Sequence, residues 1–362
     1  MVGRRVDGPA SARVTIDGRE YINFFGSGYL ALARLPEMRA AALRALERGT
    51  AFAQQFPSSL ETFDPHFAHV ERAAAAACAT EASVYFASGY LIGMVGLASL
   101  EGEFDVIVLD EYAHYNLKDA AQLLGLPCFT FTHCDASALA DLLKREAQGK
   151  GRRPVVITDG VFATTGRLPP LADYAAILVP YGGRLFVDES HAFGVVGEFG
   201  RGAAEYCGVE EVASTGATLS KAYCAQGAIV GCSSSVAARL RNVPPLRGAC
   251  AGSPVSAAVA AAALTCVARR PSLRTDLRAL TDYLRTRLRA LGLAIQDSPA
   301  PIVAFKWGGR KEMLALQRRA FEDGVYLYHS TYIGTDADGV IRCAVFCDHT
   351  KEDIDALVDI LK

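Results

Sequence analysis

The chain of 362 residues is predicted to be an α/β protein with a mostly parallel sheet and a smaller α+β part. Between residues 82 and 233, short runs rich in Val, Ile and Phe alternate with helical runs, which is typical of a sheet covered by helices on both faces. After about residue 245 the pattern changes to long helical stretches followed by short strands. A second, smaller unit is therefore expected at the carboxyl end of the chain.

The amino-terminal elements are predicted from proline, glycine and hydrophobic periodicity. Residues 14–32 indicate a short strand followed by a turn. Residues 36–49 predict an amphipathic helix, since Pro36 suits a first turn and Gly49 suits the position after a helix end. Residues 65–80 predict a second helix.

Six strands of the large sheet are predicted next, with helices between them. They are VYFASG (84–89), DVIVLD (105–110), CFTFTH (128–133), PVVITDG (154–160), RLFVDES (184–190) and AIVGCS (228–233). The last of them is expected to be an antiparallel exception. In the carboxyl-terminal part, Thr350 and Asp353 resemble a capping box that starts the final helix.

Composition and charge exclude several classes of function. The net charge of −2 leaves no electrostatic footprint for nucleic acid. The first 18 residues lack the apolar run of a signal peptide, and the alanine-rich residues 73–79 are too short for a bilayer, which takes about 20 residues. The ten cysteines contain no CxxC pair, and Cys343 with Cys347 lacks nearby partners. We expect a cytoplasmic protein with no membrane span and no metal.

Asp188 and Lys221 indicate the chemistry most directly. Asp188 ends a predicted strand, and Lys221 lies in the apolar-leaning segment ATLSKAYCAQGAIVG. A lysine is rarely buried without a task, and burial helps it act as a nucleophile and then as a base. Pyridoxal 5′-phosphate needs such a pair, because the lysine forms a Schiff base with its aldehyde and the carboxylate keeps its pyridine nitrogen protonated. His191 suits a hydrogen bond near the ring hydroxyl.

The segment DESHAFGVVGEFGRG (188–202) resembles the DEAHxxGxxGxxGRG motif of the α-oxoamine synthase family of fold-type I pyridoxal phosphate enzymes. The resemblance extends from about residue 17 to the end of the chain. It implies an aspartate-aminotransferase-like fold with a seven-stranded large domain. The implied division is residues 1–45 joining the small domain, residues 46–245 forming the large cofactor-binding domain, and residues 246–362 forming the small domain.

The resemblance also implies roles for residues at predicted strand ends. Backbone N–H groups at a helix start favour phosphate, and the family cradles the cofactor phosphate with the segment that matches Ser88, Gly89 and Tyr90. Thr218 matches a threonine that reaches the same phosphate. His114 matches a histidine that stacks over the pyridine ring, and Asn116 is a weaker neighbour.

Two further positions are implied for substrate and partner. Arg342 matches an arginine that would bind the amino acid carboxylate by a two-pronged contact. Ser253 lies in the loop that, in the family, reaches the phosphate bound to the other subunit. The resemblance thus implies a homodimer with active sites at its interface.

Several positions depart from the family. Ser27, which is expected to bind substrate, replaces an asparagine, and Ala163 replaces a serine that touches the ring hydroxyl. The aspartate that the family has two residues after its glycine is absent, and Arg167 directly follows Gly166. Residues 49–67 also replace a glycine-rich stretch. These changes leave the lysine chemistry intact, but they leave the substrates open. Either the pocket has room for a side chain larger than that of glycine, or a neighbouring group or water takes over the lost hydrogen bonds; we favour the first.

The predicted reaction is the decarboxylating condensation of an amino acid with an acyl thioester, carried by CoA or a carrier protein, to give an α-amino ketone. The first alternative is an aminotransferase on the same scaffold, which would share Lys221 and Asp188 but need no thioester pocket. The second is a non-catalytic partner subunit. Such chains lack the lysine, whereas this chain has it together with His114 and His191.

Overall fold

The computed structural model describes residues 3–53, 64–249 and 252–362. The described strands, numbered along the chain, are β1 (Val6–Asp7), β2 (Arg13–Ile16), β3 (Arg19–Asn23), β4 (Ala82–Phe86), β5 (Val106–Asp110), β6 (Cys128–Phe131), β7 (Pro154–Asp159), β8 (Arg184–Asp188), β9 (Ala213–Thr218), β10 (Ala228–Cys232), β11 (Ile302–Phe305), β12 (Val325–Tyr326), β13 (Tyr328–Ser330) and β14 (Val340–Ala344).

Helices connect and cover these strands. They are α1 (Pro36–Glu47), α2 (Pro65–Cys78), α3 (Ile92–Ser99), α4 (Tyr115–Leu123), α5 (Ala136–Glu146), α6 (Leu171–Leu178), α7 (Ala203–Tyr206), α8 (Ser234–Leu240), α9 (Pro244–Arg247), α10 (Pro254–Arg269), α11 (Ser272–Ala290), α12 (Arg310–Glu322) and α13 (Lys351–Ile360). Within the described ranges, no helix is both long and apolar enough to cross a bilayer.

The large sheet has seven described strands in the order β4-β10-β9-β8-β7-β5-β6. β10 is antiparallel to both of its neighbours, and the remaining described pairs of this sheet are parallel. Every residue of β5 and β7 is buried, as expected for parallel strands covered on both faces. The predicted α/β class, the seven strands and the antiparallel exception are confirmed. The carboxyl ends of β5, β7, β8 and β9 therefore meet at one edge.

Two smaller sheets bring the chain ends together. One has the order β1-β2-β3-β12, in which β3 runs parallel to β12. The other is antiparallel, with the order β11-β14-β13. An ion pair of 2.6 Å between Arg13 and Asp353 adds a second link between the amino- and carboxyl-terminal parts. The division of the chain at residues 45 and 245 stays a prediction.

Local signals explain where several elements begin and end. The prediction of a single strand near residue 14 is wrong, because the segment forms two strands. Asp17 and Gly18 adopt left-handed backbone angles and connect β2 and β3 as a hairpin. Asp64 caps α2 by accepting from the backbone N–H of His66 at 2.8 Å. The capping box of Thr350 with Asp353 is confirmed at the start of α13. Residues 54–63 of the divergent stretch 49–67 lie outside the described residues.

Candidate active site

Three aspartates end parallel strands at one edge of the large sheet. Asp110 ends β5, Asp159 ends β7 and Asp188 ends β8, and the last two are register partners. Open α/β sheets bind ligands at the carboxyl ends of their strands. A cavity of about 240 Å³ opens here, and its lining residues are Ser88, Gly89, Tyr90, His114, Asn116, Asp159, Asp188, Ser190, Thr218, Ser220 and Lys221.

Most of the residues predicted to hold the cofactor meet in this cavity. The structure brings together Ser88, Gly89, Tyr90, His114, Asp188, Thr218 and Lys221. Four predicted residues lie outside the cavity lining, namely His191, Arg342, Ser27 and Ser253.

Lys221 lies in the bend between β9 and β10 and lines the cavity. Burial lowers its pKa below the ordinary value, and nearby Arg342 acts in the same direction. Asp188 and Asp159 oppose this shift, because their negative charges favour the ammonium form. The effect of burial prevails, so the neutral, nucleophilic amine of Lys221 forms at a lower pH than in a solvated lysine.

Asp159 is a site residue that sequence reasoning missed. Burial raises its pKa well above the usual range, and the negative charge of the neighbouring Asp188 raises it further. The backbone N–H of His114 donates to its carboxylate at 2.9 Å and opposes the shift. The signal was present in the sequence, since PVVITD ends in an aspartate in the same way as RLFVD.

The start of α3 and the end of β9 form a polar cradle. Ser88 caps the turn that precedes α3 and accepts from the backbone N–H of Tyr90 at 3.2 Å. A Cβ atom added to Gly89 would lie 2.9 Å from the Thr218 side chain, so only glycine allows the two segments to approach this closely. The hydroxyls of Thr218 and Ser220 lie 2.8 Å apart. Hydroxyls and backbone N–H groups at a helix start suit an anion such as phosphate.

His114 lines the cavity and lies just before α4. Its Nδ1 lies 2.7 Å from the Asn116 Oδ1 atom. Its Nε2 lies 2.9 Å from the hydroxyl of Tyr332, which comes from the segment between β13 and β14. Sequence reasoning missed Tyr332, because no local pattern brings residue 332 to the large sheet.

A second buried group lies beside the cavity. The hydroxyl of Tyr29 is 2.7 Å from His191 Nδ1 and 3.3 Å from the Arg342 guanidinium. Burial lowers the pKa of His191 well below the usual range, with Lys221 and Arg342 adding to the shift. Burial also raises the pKa of Tyr29. His191 is therefore a neutral hydrogen-bonding group at neutral pH.

Arg342 is buried with neutral partners. Its guanidinium donates to the carbonyl oxygens of Ala163 at 2.7 Å and Gly26 at 3.1 Å, in addition to its contact with Tyr29. Among the residues that the structure describes, no carboxylate pairs with it. A buried cation without a counter-charge favours the binding of an anion.

The remaining predicted positions border this region. Ser27 follows Gly26, whose carbonyl accepts from Arg342. Ala163 contributes the other carbonyl, so both departures from the family lie next to this arginine. Ser253 precedes α10 and is half-buried, and a Cβ on the adjacent Gly252 would lie 3.4 Å from Ala87. A role for Ser253 toward another subunit stays a prediction.

A cluster of Asp110, His133 and Cys134 has metal-ligand chemistry. The Asp110 carboxylate already accepts from the backbone N–H groups of Tyr112 and Cys134, each at 2.9 Å, and lies 2.9 Å from His133 Nδ1. Burial raises the pKa of the Cys134 thiol to about 12, which disfavours the thiolate that binds metals. These contacts explain the cluster as the support for the turn after β5.

Comparison with known proteins agrees with this architecture. Residues 20–361 match the family of class I and II aminotransferases. The chain is 32% identical to an 8-amino-7-oxononanoate synthase of Geotalea daltonii, over 98% of this chain and 91% of the relative. It is 33% identical to the enzyme of the same name from Pelobacter propionicus, over 97% of this chain and 90% of the relative.

Solved structures show the same fold. A serine palmitoyltransferase of Sphingomonas wittichii superimposes with a TM-score of 0.90 and 25% identity, covering 99% of this chain and 90% of that one. An 8-amino-7-oxononanoate synthase of Francisella tularensis has a TM-score of 0.78 and 21% identity, covering 94% of this chain and 96% of that one. The chain thus belongs to the class I and II aminotransferase family, and within it to the α-oxoamine synthases.

Proposed function

We propose that this chain binds pyridoxal 5′-phosphate in the strand-end cavity and condenses an amino acid with an acyl thioester, with loss of CO2, to give an α-amino ketone. The observation that carries the proposal is the arrangement of Lys221 and Asp188 in one cavity with the cradle of Gly89 and Thr218. It combines an amine of lowered pKa, a buried carboxylate and an anion cradle.

The residues present fit this cofactor. Lys221 would hold the aldehyde carbon, Asp188 would face the pyridine nitrogen, and the cradle of Ser88, Gly89 and Thr218 would hold the phosphate. When bound, the cofactor supplies an electron sink for negative charge at the substrate Cα. His114 lines the same cavity, where its ring is proposed to stack on the pyridine.

The chain's own residues then divide the work of the reaction. Once the substrate amino group has replaced it at the aldehyde carbon, Lys221 takes the proton from the substrate Cα, since its lowered pKa favours the free amine that a base requires. Arg342 holds the substrate carboxylate, because its partners among the described residues are neutral and a carboxylate would supply the missing counter-charge. His191, kept neutral by burial, donates or accepts a hydrogen bond without adding a charge.

The acyl donor distinguishes this function from that of an aminotransferase. The test is to incubate the purified protein with an amino acid and a panel of acyl-CoA and acyl-carrier thioesters. We expect CO2 and free thiol to be released in step with product. Transfer of the amino group to a 2-oxo acid without thiol release would overturn the condensation in favour of an aminotransferase. No reaction of either kind would favour a non-catalytic partner subunit.

The proposal includes a homodimer in the cytoplasm, with Ser253 reaching the phosphate bound in the other subunit. Ser253 is half-buried next to the start of α10, and its side chain does not cap that helix. Sedimentation of the purified protein should give twice the mass of 38.6 kDa. A monomer with full activity would contradict the shared site.

A further inference from the structure

Asn116 stands between two groups of the proposed site. It is buried at 2% exposure, and its carboxamide has a partner at each end. Its Nδ2 donates to Asp188 Oδ2 at 3.0 Å, and its Oδ1 lies 2.7 Å from His114 Nδ1. An ionised carboxylate only accepts hydrogen bonds, so the NH2 group must face Asp188 and the carbonyl oxygen must face His114.

This orientation determines the tautomer of His114. A carbonyl oxygen only accepts, so Nδ1 of the neutral imidazole must carry the proton. Nε2 is then the free acceptor, and the Tyr332 hydroxyl lies 2.9 Å from it. The backbone N–H of Asn116 lies 3.4 Å from Nδ1, but the side-chain contact is much shorter and decides the assignment.

The backbone leaves Asn116 little freedom to give up these contacts. A Cβ on Gly93 would lie 2.7 Å from the backbone carbonyl oxygen of Asn116. The first turn of α4 therefore packs directly against α3. The other oxygen of Asp188 accepts from the backbone N–H of Ser190 at 3.0 Å, which holds the carboxylate in place. At the far end, Thr164 donates to the carbonyl of Ile333 at 2.9 Å and holds the segment that carries Tyr332.

We propose that Asn116 is a positioning residue, whose carboxamide couples the tautomer and ring orientation of His114 to Asp188. The resulting chain of hydrogen bonds runs from Asp188 through Asn116 and His114 to Tyr332. It keeps Nε2 of His114 as the acceptor that faces the Tyr332 hydroxyl. The proposal rests on the proposed function for its catalytic consequence, but its structural part concerns only the side chains of this protein.

The test combines NMR with kinetics on the cofactor-loaded protein. Protein labelled with 15N in its seven histidine rings reports the tautomer, and the His114 signal is assigned by its loss in His114→Phe. At a pH where the ring is neutral, wild type should show the Nδ1–H form. Asn116→Ala should lose this preference, because the side-chain oxygen that accepts from Nδ1–H is then absent.

Turnover supplies the second measurement. Asn116→Ala should lower kcat about 10- to 100-fold, by analogy with the loss of a hydrogen bond that orients a metal-binding histidine, with KM for the thioester unchanged within about twofold. Gln122→Ala is the matched control, since Gln122 is an exposed residue of the same helix, and it should leave both measurements unchanged. If Asn116→Ala does not fold, Asn116→Ser replaces it, because a serine hydroxyl is too short to join both partners.

Two results would overturn the proposal: an Nε2–H tautomer in the wild type, or an Nδ1–H tautomer that persists without the carboxamide. The NMR measurement needs no turnover. Failure of the wild type to release thiol from any substrate would therefore sink the proposed function alone, and the tautomer would still decide the role of Asn116.

Discussion

Replacement of Asp188 by asparagine is the sharpest perturbation of the proposed site. Asp188 is 3% exposed, and its two oxygens accept from the Ser190 N–H and the Asn116 Nδ2, each at 3.0 Å. An asparagine has the same shape but only one acceptor, so its NH2 must face one of these donors. The loss of a hydrogen bond to a charged group costs roughly 1.5–3 kcal/mol of folding stability.

The chemical effect should be larger than the effect on folding. Without a negative charge beside it, the pyridine nitrogen would lose its proton more readily, and each unit of pKa corresponds to about 1.4 kcal/mol. A shift of two units would therefore slow removal of the Cα proton about 100-fold. The assay is exchange of the Cα proton of an amino acid in D2O, followed by NMR without any thioester. We expect the cofactor still to bind to Asp188→Asn.

Asp159→Asn is the matched control, because Asp159 is the register partner of Asp188 and faces the same cavity. Its carboxylate accepts from the His114 N–H, which an asparagine carbonyl can also do. Exchange in this variant should stay within about tenfold of wild type. Near-normal exchange in Asp188→Asn, or equal slowing in Asp159→Asn, would refute the assignment of Asp188 to the ring nitrogen.

Three further predictions concern the lysine, the cradle and the substrate. Borohydride should attach the cofactor to the peptide that contains Lys221, and Lys221→Ala should remove nearly all turnover; labelling of another lysine would be evidence against this role. Gly89→Ala should weaken cofactor binding about tenfold or more, because the added Cβ would lie 2.9 Å from the Thr218 side chain. Equilibrium dialysis checks this, and unchanged affinity would show that the cradle does not hold the phosphate. The replacements at Ser27 and Ala163 predict a preference for alanine, serine or a larger amino acid over glycine. The idea of an enlarged pocket fails if kcat/KM favours glycine by tenfold, or about 1.4 kcal/mol.

The architecture of the large sheet could be predicted because its strands carry a strong local signal. β5 and β7 begin with the apolar runs VIVL and PVVI and are buried along their whole length, as expected for strands covered on both faces. The hairpin of β2 and β3 was missed, since Asp17 and Gly18 form a turn too short to interrupt the strand pattern. The preference of Asp-Gly for a tight turn decided the structure here, although the sequence around it resembles one continuous strand.

The candidate site could be predicted in part for a similar reason. Lys221, Asp188 and Ser88 occur in motifs of the family and at strand ends, where parallel topology brings side chains together. Tyr29 and Tyr332 come from distant segments with no motif, so their approach to His191 and His114 is visible only in three dimensions.

The sequence by itself determined the α/β class and most of the residues that line the cavity, and it predicted the cofactor, because these depend on local periodicity and on residue types at strand ends. The tertiary structure alone decided which partners those residues have. It placed Asp159 beside Asp188, so that two buried carboxylates influence Lys221. It also gave Arg342 neutral hydrogen-bond partners and, among the described residues, no paired carboxylate. Charges and hydrogen bonds depend on distances of a few ångströms between segments far apart in the chain, and no pattern along the chain records these distances.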